Sequence, residues 1–170
     1  MMPHDGCATT GQERMMNPDQ VLRRLEMAWA DFEDSYAGLT DNQLLIPGVQ
    51  DKWSVRDIIV HVTWWEEEAL KHLPLVREGG RPPRYSINYG GIDAFNALMT
   101  NRRSGLSLAE VRRQHDEVHE KLVKYVRCAP GELYARETRF RRRLRLDTYG
   151  HYPLHTRVIL EWRQHLGRGE

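Results

Sequence analysis

Hydrophobic residues return at three- and four-residue intervals over most of this chain, the period of a helix with one buried face. Val21, Leu22, Leu25, Trp29, Phe32 and Tyr36 make the first stripe. Asn17 and Pro18 stand where a cap and a first turn belong, and Gly38 closes the segment. Thr40 to Gln43 has a capping-box pattern, but Pro47 and Gly48 restrict it to a short turn. Ser54 to Asp57 is a second such pattern and opens a long helix on Val55, Ile58, Ile59, Val62, Trp65 and Ala69, expected to stop at Pro74. Residues 74–91, rich in proline and glycine, read as a long loop able to cover a site, followed by a short helix over about Ile92–Asn101 with Phe95, Leu98 and Met99 inward.

Ser107 to Glu110 is a third capping-box pattern. It starts a helix on Leu108, Val111, His115, Val118, Leu122 and Tyr125, ending near Arg127. Residues 128–147 read as a connection that becomes arginine-rich from Arg139 to Arg145, with Phe140, Leu144 and Leu146 interleaved. The last helix is expected from Asp147 or Thr148 to His165 or Leu166, with Leu154, Val158, Ile159 and Trp162 inward and Gly167 as its stop. Four long helices without a strand pattern predict an all-α four-helix bundle, with a long loop and a short extra helix between helices 2 and 3. Residues 1–15 are polar and lie before the patterned sequence; a disordered extension is expected there, with the bundle domain spanning 16–170 and Met15 or Met16 as an alternative start.

Composition narrows the function only a little. The 170 residues suffice for one core. A net charge of +1 speaks against a general attraction to nucleic acid, and the arginine run is too local to make a broad basic face; a solvated loop, or an anionic-substrate contact beside the site, is expected instead. Cys7 and Cys128 are too few for a disulfide framework, and the N-terminus lacks the apolar core of a secretory signal, so a cytoplasmic setting is expected. No apolar run reaches membrane-spanning length.

The candidate chemistry lies in the histidines. His151 and His155, four apart, share one helix face and can reach one ion. A third ligand must come from another element, and His61, on the shoulder of the second helix's apolar face, is the best placed. A competing reading makes His61 a core histidine satisfied by one hydrogen bond. Pro153, a turn into the last helix, disturbs the ideal alignment of the pair. Asp57 and Asp147 precede His61 and His151 by one turn; they read either as acceptors for the ring N–H groups or simply as helix-start residues. A rival pair, His115 and His119, has no third histidine in a comparable context and reads as core and partly exposed. His4, His72 and His165, and the run Glu66 to Glu68, read as solvated surface; Trp64 and Trp65 divide between core and pocket wall.

Two runs carry a family resemblance. DKWSVRDIIVHVTWWEE is similar to the segment of the DinB/YfiT-like superfamily in which a Trp-Ser helix start leads into a histidine. YGHYPLHTRVILEW resembles its closing His-x-x-x-His helix, and these patterns with Asp93–Asn96 look most like the ClbS/DfsB-type branch. The resemblance implies a four-helix bundle and a divalent metal (zinc, nickel or iron) on His61, His151 and His155, in a frequently dimeric protein. The roles it implies run from thiol-dependent transfer to hydrolysis and self-protection. The resulting expectation is a metal-dependent transferase or hydrolase acting on a small electrophilic molecule, with a low-molecular-weight thiol as candidate partner. The rivals are a non-catalytic binding or dimerisation module and a nucleic-acid-associated protein.

Overall fold

A computed structural model describes residues 16–166; the expectations for residues 1–15, His4, Cys7 and Gly167 fall outside them. The order of elements is α1 (Pro18–Tyr36), α2 (Asp41–Leu44), α3 (Val55–Arg77), α4 (Tyr85–Asn88), α5 (Ile92–Arg102), α6 (Leu108–Cys128), α7 (Arg139–Asp147) and α8 (Tyr152–Leu166), with one 3₁₀ turn at Gly131–Leu133. No strand occurs among the described residues. The long helices α1, α3, α6 and α8 form the bundle: α3 packs on α6, α1 packs on α8 and α6, and α7 lies along α3.

The starts of the helices follow the side chains that cap them. Asn17, Thr40, Ser54 and Ser107 each accept from the backbone amide three residues on, and Gln20, Gln43, Asp57 and Glu110 return the bond. α3 is the inner helix. Nearly every residue from Val55 to Trp65 is buried, so its sequence loses the one-sided character of a surface helix.

Two expectations change here. Pro74 does not stop α3, which continues one turn to Arg77. A proline there removes a single backbone bond, and burial of Val76 keeps the turn in place. The stop is Gly79, with φ of +86°, followed by a bond from the Gly80 amide to the Leu75 carbonyl. The loop is therefore shorter than expected, and α4 interrupts it. The second change is α7, read from sequence as a connection. Thr138 caps it, and Phe140 and Leu144, four apart, enter the core; Arg141 is buried beside them with a bond to the Tyr134 carbonyl, while Arg139 and Arg142 face outward. Arginine is itself a good helix former, so a charged stretch with two apolar residues on one face suffices.

Arg56 ties the start of α3 to the α5–α6 connection. Its buried guanidinium donates to the carbonyls of Arg103, Ser104 and Leu106 at 2.7, 3.1 and 2.7 Å. Arg56→Met keeps the aliphatic bulk and strands these acceptors. It is expected to lower the unfolding free energy by about 3 kcal/mol in urea titrations, and a change within about 0.5 kcal/mol would remove the role assigned to the side chain.

Candidate metal centre

α3 supplies one imidazole. The Ser54–Asp57 capping box fixes its first turn, and His61 follows a turn later, 3% exposed, with the Trp53 and Trp64 rings 4.8 and 4.9 Å from its own. The other two imidazoles come from the entry to α8. α8 begins at Tyr152 and not at Asp147 or Thr148, so His151 sits in the turn before the helix. The chain nevertheless already spirals there: the His151 and Tyr152 amides both bond the Thr148 carbonyl, and the Leu154 amide bonds that of His151. The four-residue relation of His151 to His155 thus survives. Pro153 falls at the second helical position, where an amide has no partner to lose.

The expected set comes together. Nε2 of His151 lies 3.1 Å from Nε2 of His61 and 2.9 Å from Nε2 of His155, and one nitrogen from each ring falls within 4.8 Å of the others. A single ring proton cannot lie along both contacts, while a cation could accept the lone pairs that face one another. The donor set of three imidazoles fits zinc, nickel or iron. Nδ1 of His155 is 3.0 Å from Oε1 of Gln50, which as acceptor keeps the proton on Nδ1 and leaves Nε2 bare. Burial pushes all three rings below the ordinary imidazole value, His151 to about 4, His155 to about 3 and His61 further still, so they stay neutral donors.

The aspartates one turn upstream do not serve these rings. Asp57 is committed to Ser54 and Arg56, and Asp147 to the Nε of Arg143. Asp57 serves the start of α3 as a capping and first-turn acid, and Asp147, at the end of α7, is held by its ion pair with Arg143. Gln50 takes the orienting role instead. A tight turn, in which Val49 and Trp53 amides bond Trp53 and Gln50 carbonyls, presents both Gln50 and Trp53 to the site. Nothing in the local sequence marks Gln50, because its partner lies 105 residues away.

All three histidines line a cavity of about 370 Å³ with Gln50, Trp53 and Asn96. His61 and His151 also line a second, of about 320 Å³, with Trp65, Tyr85, Asn96 and Arg143. Asn96 thus belongs to both, and its Oδ1 is buried without a hydrogen-bond partner. Trp64 is core and Trp65 is cavity wall.

The rival pair is not brought to any third ligand. Nδ1 of His115 meets Thr63 Oγ1 at 3.0 Å and its Nε2 meets Tyr36 OH at 3.2 Å. His119 pairs with Glu66, and the two rings stack on Trp29. The glutamate run is not a solvated face either: Glu66 accepts from Tyr152 OH, and Glu68 meets His72 and Tyr85. Glu66, Glu68 and His72 are all buried, because other elements enclose α3 here.

An all-helical bundle with two helices delivering three imidazoles to one cavity defines the class of protein. Within that class the chain belongs to the DinB superfamily, whose sequence profile matches residues 24–165. Among solved structures it is similar to the sibling lethal factor precursor DfsB (14% identity, TM-score 0.72, 90% of this chain and 98% of that one). It is also similar to the colibactin self-resistance protein ClbS, solved with a double-stranded DNA (12%, 0.69, 85% and 94%). A Streptococcus pneumoniae protein aligns at 13% identity and a TM-score of 0.73 over 92% and 96%. No curated protein sequence matches the chain.

Two outcomes are expected from this geometry. Gly150 closes the α7–α8 turn so tightly that a Cβ would stand 2.7 Å from the Arg145 carbonyl oxygen. Gly150→Ala should therefore cost about 1–3 kcal/mol of stability and weaken binding of added Zn²⁺ in the same protein, by calorimetry; unchanged values for both would show that the turn does not position the pair. The second outcome concerns pH. Unfolded imidazoles take up protons near pH 6.5 and the folded rings only near 4 or below, so protons favour the unfolded chain in between. The metal-free protein should lose thermal stability as pH falls from about 6.5 to about 4, and His155→Gln should flatten that dependence. An identical slope in the variant would contradict the assignment.

Proposed function

We propose that the protein is a metal-dependent transferase or hydrolase acting on a small electrophilic molecule, with His61, His151 and His155 as ligands of a zinc, nickel or iron ion. The observation that carries this reading is the convergence of three neutral imidazole nitrogens within 4.8 Å at the wall of a cavity. Three nitrogen ligands leave at least one coordination position open, the pattern of a catalytic site and not of a structural one. When bound, such an ion lowers the pKa of a water or thiol and polarises a substrate oxygen.

The chain's own residues set the conditions for that chemistry. Gln50 holds the tautomer of His155. Trp53, Trp64 and Trp65 surround His61 with apolar rings, keeping water from its flanks. Asn96 offers a buried oxygen with no internal donor, an acceptor for an N–H or O–H group of the bound molecule. The same reading has the protein act in the cytoplasm, as a homodimer, with a low-molecular-weight thiol as candidate co-substrate.

A second reading, association with nucleic acid, draws support from the double-stranded DNA bound by ClbS and from the arginines of α7. A net charge of only +1 speaks for the small-molecule reading.

Metal content tests the first reading. Protein purified without an affinity tag and equilibrated with Zn²⁺, Ni²⁺ or Fe²⁺ is expected to retain about one ion per chain by mass spectrometry, with His61→Ala weakening the affinity by roughly 100-fold. Transfer of a thiol to an alkyl halide, or hydrolysis of an activated ester, should disappear on chelation and return with metal. Equal metal retention in wild type and variant would end the assignment.

A further inference from the structure

The arginines of α7 remain outside the chemistry described so far, yet they adjoin it. The cavity that His61 and His151 line shares Tyr85, Arg143 and Leu146 with a second cavity of about 300 Å³ further along α7. The two therefore abut at a waist made by those three side chains. The outer cavity adds Pro82 and Pro83 on one side and Arg139 and Arg142 on the other, and no carboxylate lines it.

The three guanidinium groups are not equivalent. Arg143 is held: its Nε meets Asp147, one Nη donates to Tyr85 OH at 2.8 Å, and its Cζ lies 5.7 Å from the Tyr85 ring centre. Arg139 donates to the backbone carbonyls of Gly79 and Gly80 and has no acidic partner among the described residues. Arg142 is exposed and makes no hydrogen bond or ion pair among the described residues. Arg139 and Arg142 are three apart on a helix and so stand on one face. Their neighbour Arg145, by contrast, is neutralised by Glu137. Unneutralised positive charge is thus concentrated at the outer cavity, at the end remote from the histidines.

Apolar surface connects the two ends: Trp65 and Ile92 line the inner part, Leu146 the waist, and the two prolines the outer part. Leu146 is 58% exposed and presents its side chain at the waist. We propose that the paired cavities form one elongated substrate cleft, taking a small molecule whose reactive end lies at the histidines and whose far end carries a carboxylate or phosphate bound by Arg142 and Arg139. An apolar chain or ring lies between, across Trp65 and Leu146. Guanidinium groups suit such an end because their planar N–H pairs match the oxygens of either anion. The proposal rests on the reading of the histidine triad as a metal centre.

A series of ω-mercaptocarboxylates of increasing length tests it on the Co²⁺-loaded protein, where a thiolate ligand adds a charge-transfer band that reports binding. Mercaptoalcohols of equal length are the neutral controls, and mercaptoalkyl phosphates separate phosphate from carboxylate. The acid is expected to bind about 5- to 10-fold tighter than the matched alcohol at an intermediate length and about equally at the shortest. Arg142→Gln alone, a change at an exposed and unpaired side chain, should remove most of that advantage, and the Arg139→Gln, Arg142→Gln double variant all of it. Binding of the short mercaptoalcohols should stay the same in both variants. An advantage at no length, or one that survives the double variant, overturns the cleft while leaving the metal centre standing. Failure of the protein to take up Co²⁺, read from the visible d–d bands of the ion, overturns the metal reading and the cleft with it, whereas a loaded protein that shows no thiolate band with any ligand overturns the cleft alone. A short DNA duplex that displaces the acids, and whose own binding is lost in the double variant, overturns the proposal in favour of a nucleic-acid contact.

Discussion

One buried hydrogen bond, from the Tyr152 hydroxyl to the Glu66 carboxylate, determines how α8 meets α3. Neither residue has measurable exposure. Burial and the neighbouring carboxylate push the phenol well above its ordinary value, which keeps it a proton donor. His119 approaches the same carboxylate oxygen at 2.8 Å and stacks on Trp29, 3.5 Å away. In such surroundings a carboxylate without its partners is strongly unfavourable, which makes this contact far more directional than the apolar packing around it. Tyr152 follows His151 directly and precedes His155 by three residues. The bond that seats Tyr152 on α3 therefore also sets the height and rotation at which both imidazoles approach His61.

Much of this arrangement was legible in the sequence, and the reasons are local. The caps at Asn17, Thr40, Ser54 and Ser107 act over three residues, and each helix starts where its cap stands. The His151–His155 spacing encodes a shared face, and it held even though His151 lies just outside the helix, because the preceding turn winds in the same sense. What escaped was set by tertiary surroundings. Glu66, Glu68 and His72 look like surface residues, but α3 is enclosed by α6, α7 and α8, so its polar positions find partners in place of water. Pro74 looks like a terminator, but losing one bond near the end of a helix is tolerated where Val76 anchors the next turn in the core. α7 looks like a charged linker because only two of its nine residues, Phe140 and Leu144, are buried apolar side chains.

The tryptophan-lined setting of the histidines has an energetic consequence. Three imidazoles crowded together in water would titrate near neutrality and repel one another as they charged. Enclosure suppresses charging and keeps the lone pairs available, and it acts most strongly on His61, the most enclosed of the three. The two ring–ring contacts cannot both be hydrogen bonds, because one proton serves only one of them, and Nδ1 of His61 and of His151 is buried without a partner. A cation on the facing nitrogens would take up their lone pairs together.

α7 links that region to the rest of the molecule. One side of the helix, through Phe140 and Leu144, is anchored in the core; another carries Arg139 and Arg142 toward the outer cavity. Its last residue, Asp147, lies four positions before His151, with only the Thr148–Gly150 turn between α7 and the first imidazole of the pair. Arg143 spans both parts: it holds Asp147 through Nε and lines both cavities with its neighbours. The arginine face and the first imidazole of the pair are thus joined by an ion pair and a close glycine turn. The residues that carry the charge of α7 and the residue that presents His151 to the cavity are neighbours in sequence and in space, which is why the arginine segment is better understood with the site than apart from it.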